Sequence, residues 1–228
     1  MNVIVECDSL SRRYGSEENS VYAVNGVSLA VSAGEFLSLS GPSGSGKTTL
    51  MNLLSGLDTP TGGEVSLAGQ RLDTLDRNAL ADLRLQRIGF VFQAYNLIPV
   101  LSARENVEFI MQIQGVPAKT RRRQAESMLE EVGLGELGDR RPGQLSGGQQ
   151  QRVAIARAIA SAPAIVFADE PSANLDSAAT DGLLALMRRL NENRGMTFCI
   201  ASHDPRVIDY TRRRVRMRDG RIEADDRV

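Results

Sequence analysis

The chain is short of lysine, histidine, cysteine and long apolar runs, and each scarcity narrows what it can be. Cys7 and Cys199 stand far apart with no CxxC pattern and no histidine companion, which excludes a zinc knuckle or a dithiol redox motif. Two buried free thiols in a reducing compartment is the plain reading. No uninterrupted apolar run approaches the ~20 residues needed to cross a bilayer, so any service to a membrane must go through another polypeptide. The start, MNVIVECDSLSRRYG, has no apolar h-region and no small-residue cleavage site, and no secretory signal is expected. The formal charge of -1 argues against bulk nucleic acid as a partner, and none is expected. There is no internal repeat or low-complexity tract. Of the 27 basic residues only Lys47 and Lys119 are lysine.

What remains is a chain of 228 residues with ordinary globular composition. It is long enough to bury roughly 70% of its unfolded surface as one domain, or as a core with a small subdomain. Apolar period-2 stretches recur at residues 3–5, 27–31, 36–39, 65–67, 88–92, 165–168, 197–201 and 215–217. Helical patterns fall at 48–55, stopping near Gly56, and from a capping box Ser102-Ala-Arg-Glu105 toward Gln114. Others run from Pro117 through Val132, ended by Gly133, from Ser146 to about Ala162, and over 177–193. Alternation of this kind predicts an α/β domain with a largely parallel sheet. The early strands, joined by short glycine-containing turns, predict an antiparallel β portion at the N-terminal end. Between Ala94 and about Ala162 the strand signal disappears. The expected organisation is therefore a single domain over 1–228: a core with a β subdomain from 1–93 and 163–228, and an inserted helical subdomain at 94–162. The basic runs at 121–123 and 212–214 read as solvated faces, with contact to anionic lipid or a partner loop as the alternative.

Gly41-Pro-Ser-Gly-Ser-Gly46-Lys47-Thr48 matches G-x-x-x-x-G-K-[ST] at every fixed position, between an apolar strand and a helix. The chemistry explains the residue types. Three glycines let successive backbone N–H groups turn inward as an anion nest at a helix start. Lys47 supplies a compact charge for the outer phosphates, which a planar arginine fork cannot do inside a tight loop. The Thr48 hydroxyl can ligate Mg²⁺. Ser43, Gly44, Ser45, Gly46, Lys47, Thr48 and Thr49 are the expected contacts to a nucleoside triphosphate.

The apolar strand at 165–168 ends in two carboxylates, Asp169 and Glu170, at the edge where open α/β sheets gather ligand chemistry. Asp169 is expected to hold Mg²⁺ through water, and Glu170 to orient or deprotonate an attacking water. His203, the only histidine, follows another strand and so reaches the same edge; a lone histidine is ordinarily structural, and a γ-phosphate sensor is the sharper reading. Gln93, after the strand at 88–92, has the same logic as an amide able to reach metal and water.

Leu145-Ser-Gly-Gly-Gln149-Gln-Gln-Arg152 places a second glycine-rich helix start about 100 residues from the first. One nucleotide can hardly use both within one compact core unless a partner molecule supplies one of them. This string resembles the signature motif of the ATP-binding-cassette (ABC) family. With it come matches to Walker A at 41–48, Walker B at 165–169 followed by Glu170, a D-loop-like Ser172-Ala-Asn-Leu-Asp176, the Q-loop Gln93 and the switch His203, over residues 10 to about 223. The resemblance implies a P-loop NTPase core and an ATPase that uses ATP and Mg²⁺. It implies a head-to-tail homodimer in which Ser146, Gly148 and Gln149 of one subunit face the γ-phosphate held by Lys47 of the other. It also implies an integral membrane, permease-like subunit docked by the helical subdomain, which places the chain peripherally on the cytoplasmic face of a bacterial inner membrane. Tyr14 matches the aromatic that stacks on adenine in this family, with Tyr22 as a possible substitute.

The segments 55–62, 88–99 and 104–107 are similar to the branch containing lipoprotein-releasing, macrolide-export and cell-division ATPases. Two departures are small: Glu170-Pro-Ser-Ala-Asn stands where a Thr-Gly pair is more usual after the proline, and Ser-His-Asp where Thr-His-Asp is commoner. Neither removes a catalytic group. A GTPase or small-molecule kinase gives the signature string no role, and the long inserts of soluble ABC proteins are missing. An ABC ATPase that regulates an extracytoplasmic enzyme without transport stays open beside a transporter.

Overall fold

A computed structural model describes residues 2–15 and 20–227. The chain opens with two long strands, β1 (Val3–Tyr14) and β2 (Val21–Ser32), followed by β3 (Phe36–Ser40) and the helix α1 (Lys47–Leu54). Two short strands, β4 (Gly62–Leu67) and β5 (Gln70–Arg71), precede α2 (Arg77–Arg87) and β6 (Ile88–Phe92). Three helices then follow in succession, α3 (Ala103–Ile113), α4 (Ala118–Glu131) and α5 (Gly147–Ile159). The chain closes with β7 (Ile165–Asp169), α6 (Ser177–Arg194), β8 (Phe198–Ser202), α7 (Pro205–Tyr210), β9 (Arg213–Arg218) and β10 (Arg221–Arg227).

The strands form two sheets. One is antiparallel with order β2-β1-β4-β5. The other has order β10-β9-β3-β8-β7-β6, parallel throughout except for the antiparallel edge strand β10. The central strands β3 and β8 are buried at every position, as strands covered on both faces must be. Alternation along them divides the core. Phe36, Val91, Val166, Ala168, Phe198 and Ile200 pack with α3, α4, α5 and α6 on one face. Leu37, Leu39, Phe167, Cys199, Ala201 and Met217 pack with α1 and the antiparallel sheet on the other. Because the parallel strands run the same way, Ser40, Phe92, Asp169 and Ser202 all end at one edge. That edge is where an open α/β sheet puts its chemistry.

The helix signals in the sequence hold where a cap or a glycine marks them. Ser102 and Glu105 exchange both bonds of a capping box, and Gly133 follows α4 with a φ of 77°. Four elements fall outside those expected from the sequence: β5, α2, α7 and β10. α2 buries none of its residues fully; Leu80 and Leu83 pack half-buried against the core, which leaves only a faint apolar stripe to read. The region between β6 and β7 contains no strand among the described residues, and its apolar side chains join the core under the sheet. Cys7 and Cys199 are both free and buried. Burial pushes the Cys7 thiol up to about 12 and raises that of Cys199 as well.

Candidate functional site

The loop after β3 is held in a gap that only glycine fits. Gly41 and Gly46 have φ of 144° and 99°. A Cβ on Gly41 would run into the Met217 carbonyl of β9, and one on Gly46 into the Ala23 carbonyl of β2. The far side of the loop is braced by Gly220, whose N–H donates to the Ser45 carbonyl at 3.1 Å. α1 begins with no side-chain cap, because its N-cap residue is Gly46. In contrast α2, α3, α5 and α6 are capped by Asp76, Ser102, Ser146 and Asp176. The first-turn N–H groups of α1 are thus left for an anion. Lys47 is 8% exposed, and its ammonium donates to the carbonyls of Gly41 and Pro42 at 2.8 and 3.0 Å, which fixes it at the mouth of the loop.

A cavity of about 680 Å³ lies over this loop, lined by Ser43, Gly44, Gly46, Lys47, Thr48, Thr49, Glu170 and His203, together with Ala23 and Pro42. Asp169 reaches it through Thr48, whose hydroxyl donates to Asp169 Oδ1 at 3.3 Å. Burial raises the pKa of Asp169 above the ordinary carboxylate value; the Thr48 bond opposes the shift, the Glu170 charge adds to it, and Lys47 opposes it. One hydroxyl and one carboxylate oxygen side by side are hard ligands of the kind Mg²⁺ takes. No group of three or more His, Cys, Asp or Glu side chains able to hold a metal occurs among the described residues. Thr48 and Asp169 therefore fit a Mg²⁺ that keeps waters and shares phosphate oxygens, and do not fit an ion caged by protein alone.

Glu170 follows directly. Its backbone adopts a left-handed φ of 45°, which for a non-glycine residue costs about 1–2 kcal/mol. Its N–H donates to the Ala201 carbonyl at 2.9 Å, so the strained turn is stitched to β8. Its side chain meets His203 Nδ1 at 2.8 Å through Oε1, and accepts from the Ser202 hydroxyl at 3.2 Å through Oε2. An ionised carboxylate only accepts, so this pairing assigns the proton to Nδ1 of His203.

The other expected site residues lie elsewhere. Gln93 is exposed just beyond β6 and does not line the cavity; its carbonyl accepts from Asn174 Nδ2 at 3.0 Å. Ser146, Gly148 and Gln149 sit at the start of α5, and no hydrogen bond among the described residues ties them to the phosphate loop. Ser146 Oγ accepts from Gln149 N–H at 3.3 Å and Gln149 Oε1 accepts from Ser146 N–H at 2.9 Å. The capping box takes one of the first-turn donors, and Gly147 and Gly148 supply the rest. Tyr14 donates its hydroxyl to Asp58 at 2.6 Å and lies under the Arg12 guanidinium, 4.7 Å from the ring centroid. Neither Tyr14 nor Tyr22 lines the cavity, whereas Ala23, next to Tyr22, does.

Some participants are not among the site residues expected from the sequence. Asn174 bridges the D-loop-like segment to Gln93, Arg157 of α5 donates to the carbonyls of Tyr95 and Asn96, and Ser202 holds Glu170. A strand-end serine, an asparagine and an arginine are too common to mark a site without the fold around them.

A glycine-lined phosphate loop at the C-terminal edge of a parallel sheet, with a hydroxyl–carboxylate pair and a second carboxylate beside it, defines a P-loop nucleoside triphosphatase. The comparisons narrow the class. The family model described as "ABC transporter" matches residues 24–173, and the chain belongs to that family as one of its ATP-binding, ATP-hydrolysing domains. It is 47% identical over its whole length to an uncharacterized ABC transporter ATP-binding protein of Thermotoga maritima, covering 97% of that relative. It is 49% identical to the lipoprotein-releasing system ATP-binding protein LolD of Anaeromyxobacter dehalogenans, over 97% of this chain and 93% of LolD. It is 47% identical to the macrolide export ATP-binding/permease protein MacB of Syntrophobacter fumaroxidans, over 97% of this chain but only 31% of that longer protein. Among solved structures, the ATP-binding cassette MJ0796, dimeric in a post-hydrolysis state with ADP and Pi, is similar with a TM-score of 0.90 at 39% identity, covering 98% of each chain. The fold is that of an ABC ATPase, with the antiparallel β portion and the parallel sheet that the sequence led one to expect.

Proposed function

We propose that this chain hydrolyses ATP as one half of a head-to-tail homodimer and drives a membrane partner, in a system that moves lipoprotein, peptide or drug-like cargo or transmits motion across the membrane. The observation that carries the pairing is the separation of two anion-binding helix starts. The start of α1 opens on the phosphate cavity, while the glycines of α5 lie outside it. A second copy that presents Ser146, Gly148 and Gln149 to the γ-phosphate gives both starts a use. ATP then joins the subunits, and hydrolysis loosens them by removing a ligand that only the closed pair binds.

Within each site Lys47 and the loop N–H groups bind the phosphates. Glu170 orients the attacking water and takes its proton, and His203 holds Glu170 and senses the γ-phosphate. Thr48, and Asp169 through water, would hold a Mg²⁺ ion, which would supply charge neutralisation at the phosphate oxygens. By resemblance to the family, Gln93 takes the part of following metal and water and Tyr14 that of stacking on adenine; neither lines the phosphate cavity in the single chain, so both roles require the ATP-bound pair.

We assign residues 94–162 to an inserted helical subdomain that docks the partner. Support comes from a groove of about 380 Å³ where that region meets α2 and β6, lined by Phe90, Phe92, Ile98, Phe109 and Ile110. Arg84 and Arg157 also line it, and both donate to backbone carbonyls. No helix of the described residues is long and apolar enough to cross a membrane; with such a partner the chain takes a peripheral place on the cytoplasmic face of a bacterial inner membrane.

The test is Glu170→Gln. The variant should bind ATP, lose turnover and accumulate as an ATP-dependent dimer on light-scattering chromatography. A fully active variant would remove Glu170 from the role of base, and an ATP-loaded variant that stayed monomeric would remove the pairing.

A further inference from the structure

The Glu170 carboxylate is gripped on both oxygens, by neighbours of opposite exposure. Oε1 meets Nδ1 of His203, whose side chain is 69% exposed and lines the phosphate cavity. Oε2 accepts from the hydroxyl of Ser202, which is fully buried at the end of β8 and lines no part of that cavity. The Ser202 oxygen also accepts from the Asp204 N–H at 3.1 Å. A hydroxyl has a single proton to give. With a backbone N–H fixed on its acceptor side, the Ser202 proton is directed to Glu170.

A glutamate needs such a hold. The terminal torsion of its side chain is broad and two-fold, so a carboxylate held at one oxygen can turn and exchange its two oxygens. The Glu170 backbone is already pinned to β8 through the Ala201 carbonyl, and Ser202 is the next residue of that strand. Backbone and carboxylate are therefore both referred to the same rigid strand end.

We propose that Ser202 is a positioning residue for hydrolysis: it ties down Oε2 as the non-reacting oxygen and leaves Oε1, beside His203 at the cavity, as the atom that accepts the proton of water. This rests on the reading of Glu170 as the base. In the step so organised, the water oxygen bonds to the γ-phosphorus and the bond to the β–γ bridging oxygen breaks, its electron pair leaving with ADP. The water proton passes to Oε1 and then to solvent. Ser202 touches neither phosphate nor metal, so its contribution falls on turnover and not on binding.

The experiment compares Ser202→Ala, Ser202→Cys and Ser202→Thr in the full chain. Steady-state kcat and KM for Mg-ATP are measured together with binding of a fluorescent ATP analogue and the melting temperature. Ser202→Ala and Ser202→Cys should each lose about tenfold in kcat, the scale of one charge-assisted hydrogen bond, with KM and analogue affinity within about twofold. Ser202→Thr keeps the hydroxyl and should recover to within about threefold of the parent. Unchanged turnover in Ser202→Ala would overturn the proposal. So would a joint loss of turnover and nucleotide affinity, or a threonine variant as slow as the alanine one. Should the alanine variant fail to fold, the cysteine variant, close in volume and a weak donor, answers the same question. Glu170→Gln and the double variant separate the two readings. With Glu170 as base, Glu170→Gln removes turnover and Ser202→Ala subtracts nothing further. An active Glu170→Gln sinks the base itself, whatever Ser202 does.

Discussion

Arg157 offers a measurable link between the apolar groove proposed to dock the partner and the catalytic edge. It projects from α5, donates through Nη2 to the Tyr95 carbonyl at 2.9 Å and through Nη1 to the Asn96 carbonyl, and lines the groove. Tyr95 and Asn96 both have left-handed φ, 60° and 48°. Burial lowers the Arg157 pKa, and no ion pair with a carboxylate forms at it among the described residues. In Arg157→Met, two charge-assisted bonds of about 1.5–3 kcal/mol each are lost. Release of Tyr95 from its left-handed backbone returns about 1–2 kcal/mol, Asn96 tolerating that region at little cost, and relief of the half-buried guanidinium's desolvation returns a further part. The net cost to folding is therefore modest, about 1–2 kcal/mol, which lowers the melting temperature of a chain this size by about 2–8 °C. Turnover should suffer more. The segment that carries Gln93 keeps its contacts to Asn174 and Asn106 but loses its tie to α5, so kcat is expected to fall about tenfold while KM for ATP stays unchanged, as Arg157 lies outside the phosphate cavity. Calorimetry and a coupled ATPase assay on the same sample decide. A melting temperature lowered by more than about 10 °C with full kcat per folded molecule would make Arg157 a strut and break the link.

Two further outcomes follow from charge. Asp169→Asn should abolish hydrolysis yet raise the melting temperature near neutral pH. The folded pKa of Asp169 is raised, chiefly by burial, so its contribution to stability is complete below the unfolded value and is lost as pH rises through the folded one. The stabilisation by asparagine should accordingly vanish in acid, and equal melting temperatures at all pH would contradict it. Arg213→Ala should destabilise by about 3 kcal/mol, or about 6–12 °C, because Arg213 pairs with Glu35 at 2.6 Å and Asp225 at 2.7 Å and holds β10 to the sheet. Arg213 holds the Asp225 carboxyl below its ordinary range, so this support is present above the unfolded value and is lost as pH falls through the folded one. A melting temperature unchanged by the substitution would refute the ion-pair account.

The sequence announces most of what physical chemistry makes local. The phosphate loop is legible because its glycines answer to two carbonyls that admit no Cβ, and Lys47 stands out in an arginine-rich chain. α3 is legible from Ser102 and Glu105, since a capping box is a contact between residues three apart. β6 is legible over residues 88–92, where the strand lies. What depends on distant partners is not. β1 runs from Val3 to Tyr14 although only 3–5 alternates cleanly, because its charged and serine-rich remainder is held by pairing with β2 and β4 through several bulges. β10, nearly all exposed and charged, exists through its ion pairs and its ladder with β9. At the site, Ser202 and Asn174 gain meaning only once β6, β7 and β8 lie side by side and bring Glu170 to Ser202 and Gln93 to Asn174.

The most direct test of the head-to-tail pairing mixes two disabled variants, Lys47→Ala and Ser146→Phe. Each alone makes dimers in which both composite sites lack a part, and each should be inactive. A mixed dimer joins the intact Lys47 of one subunit to the intact Ser146 of the other, so an equimolar mixture should regain up to roughly a quarter of parental activity. A mixture that forms mixed dimers by native mass spectrometry yet stays as inactive as its components would contradict the shared site.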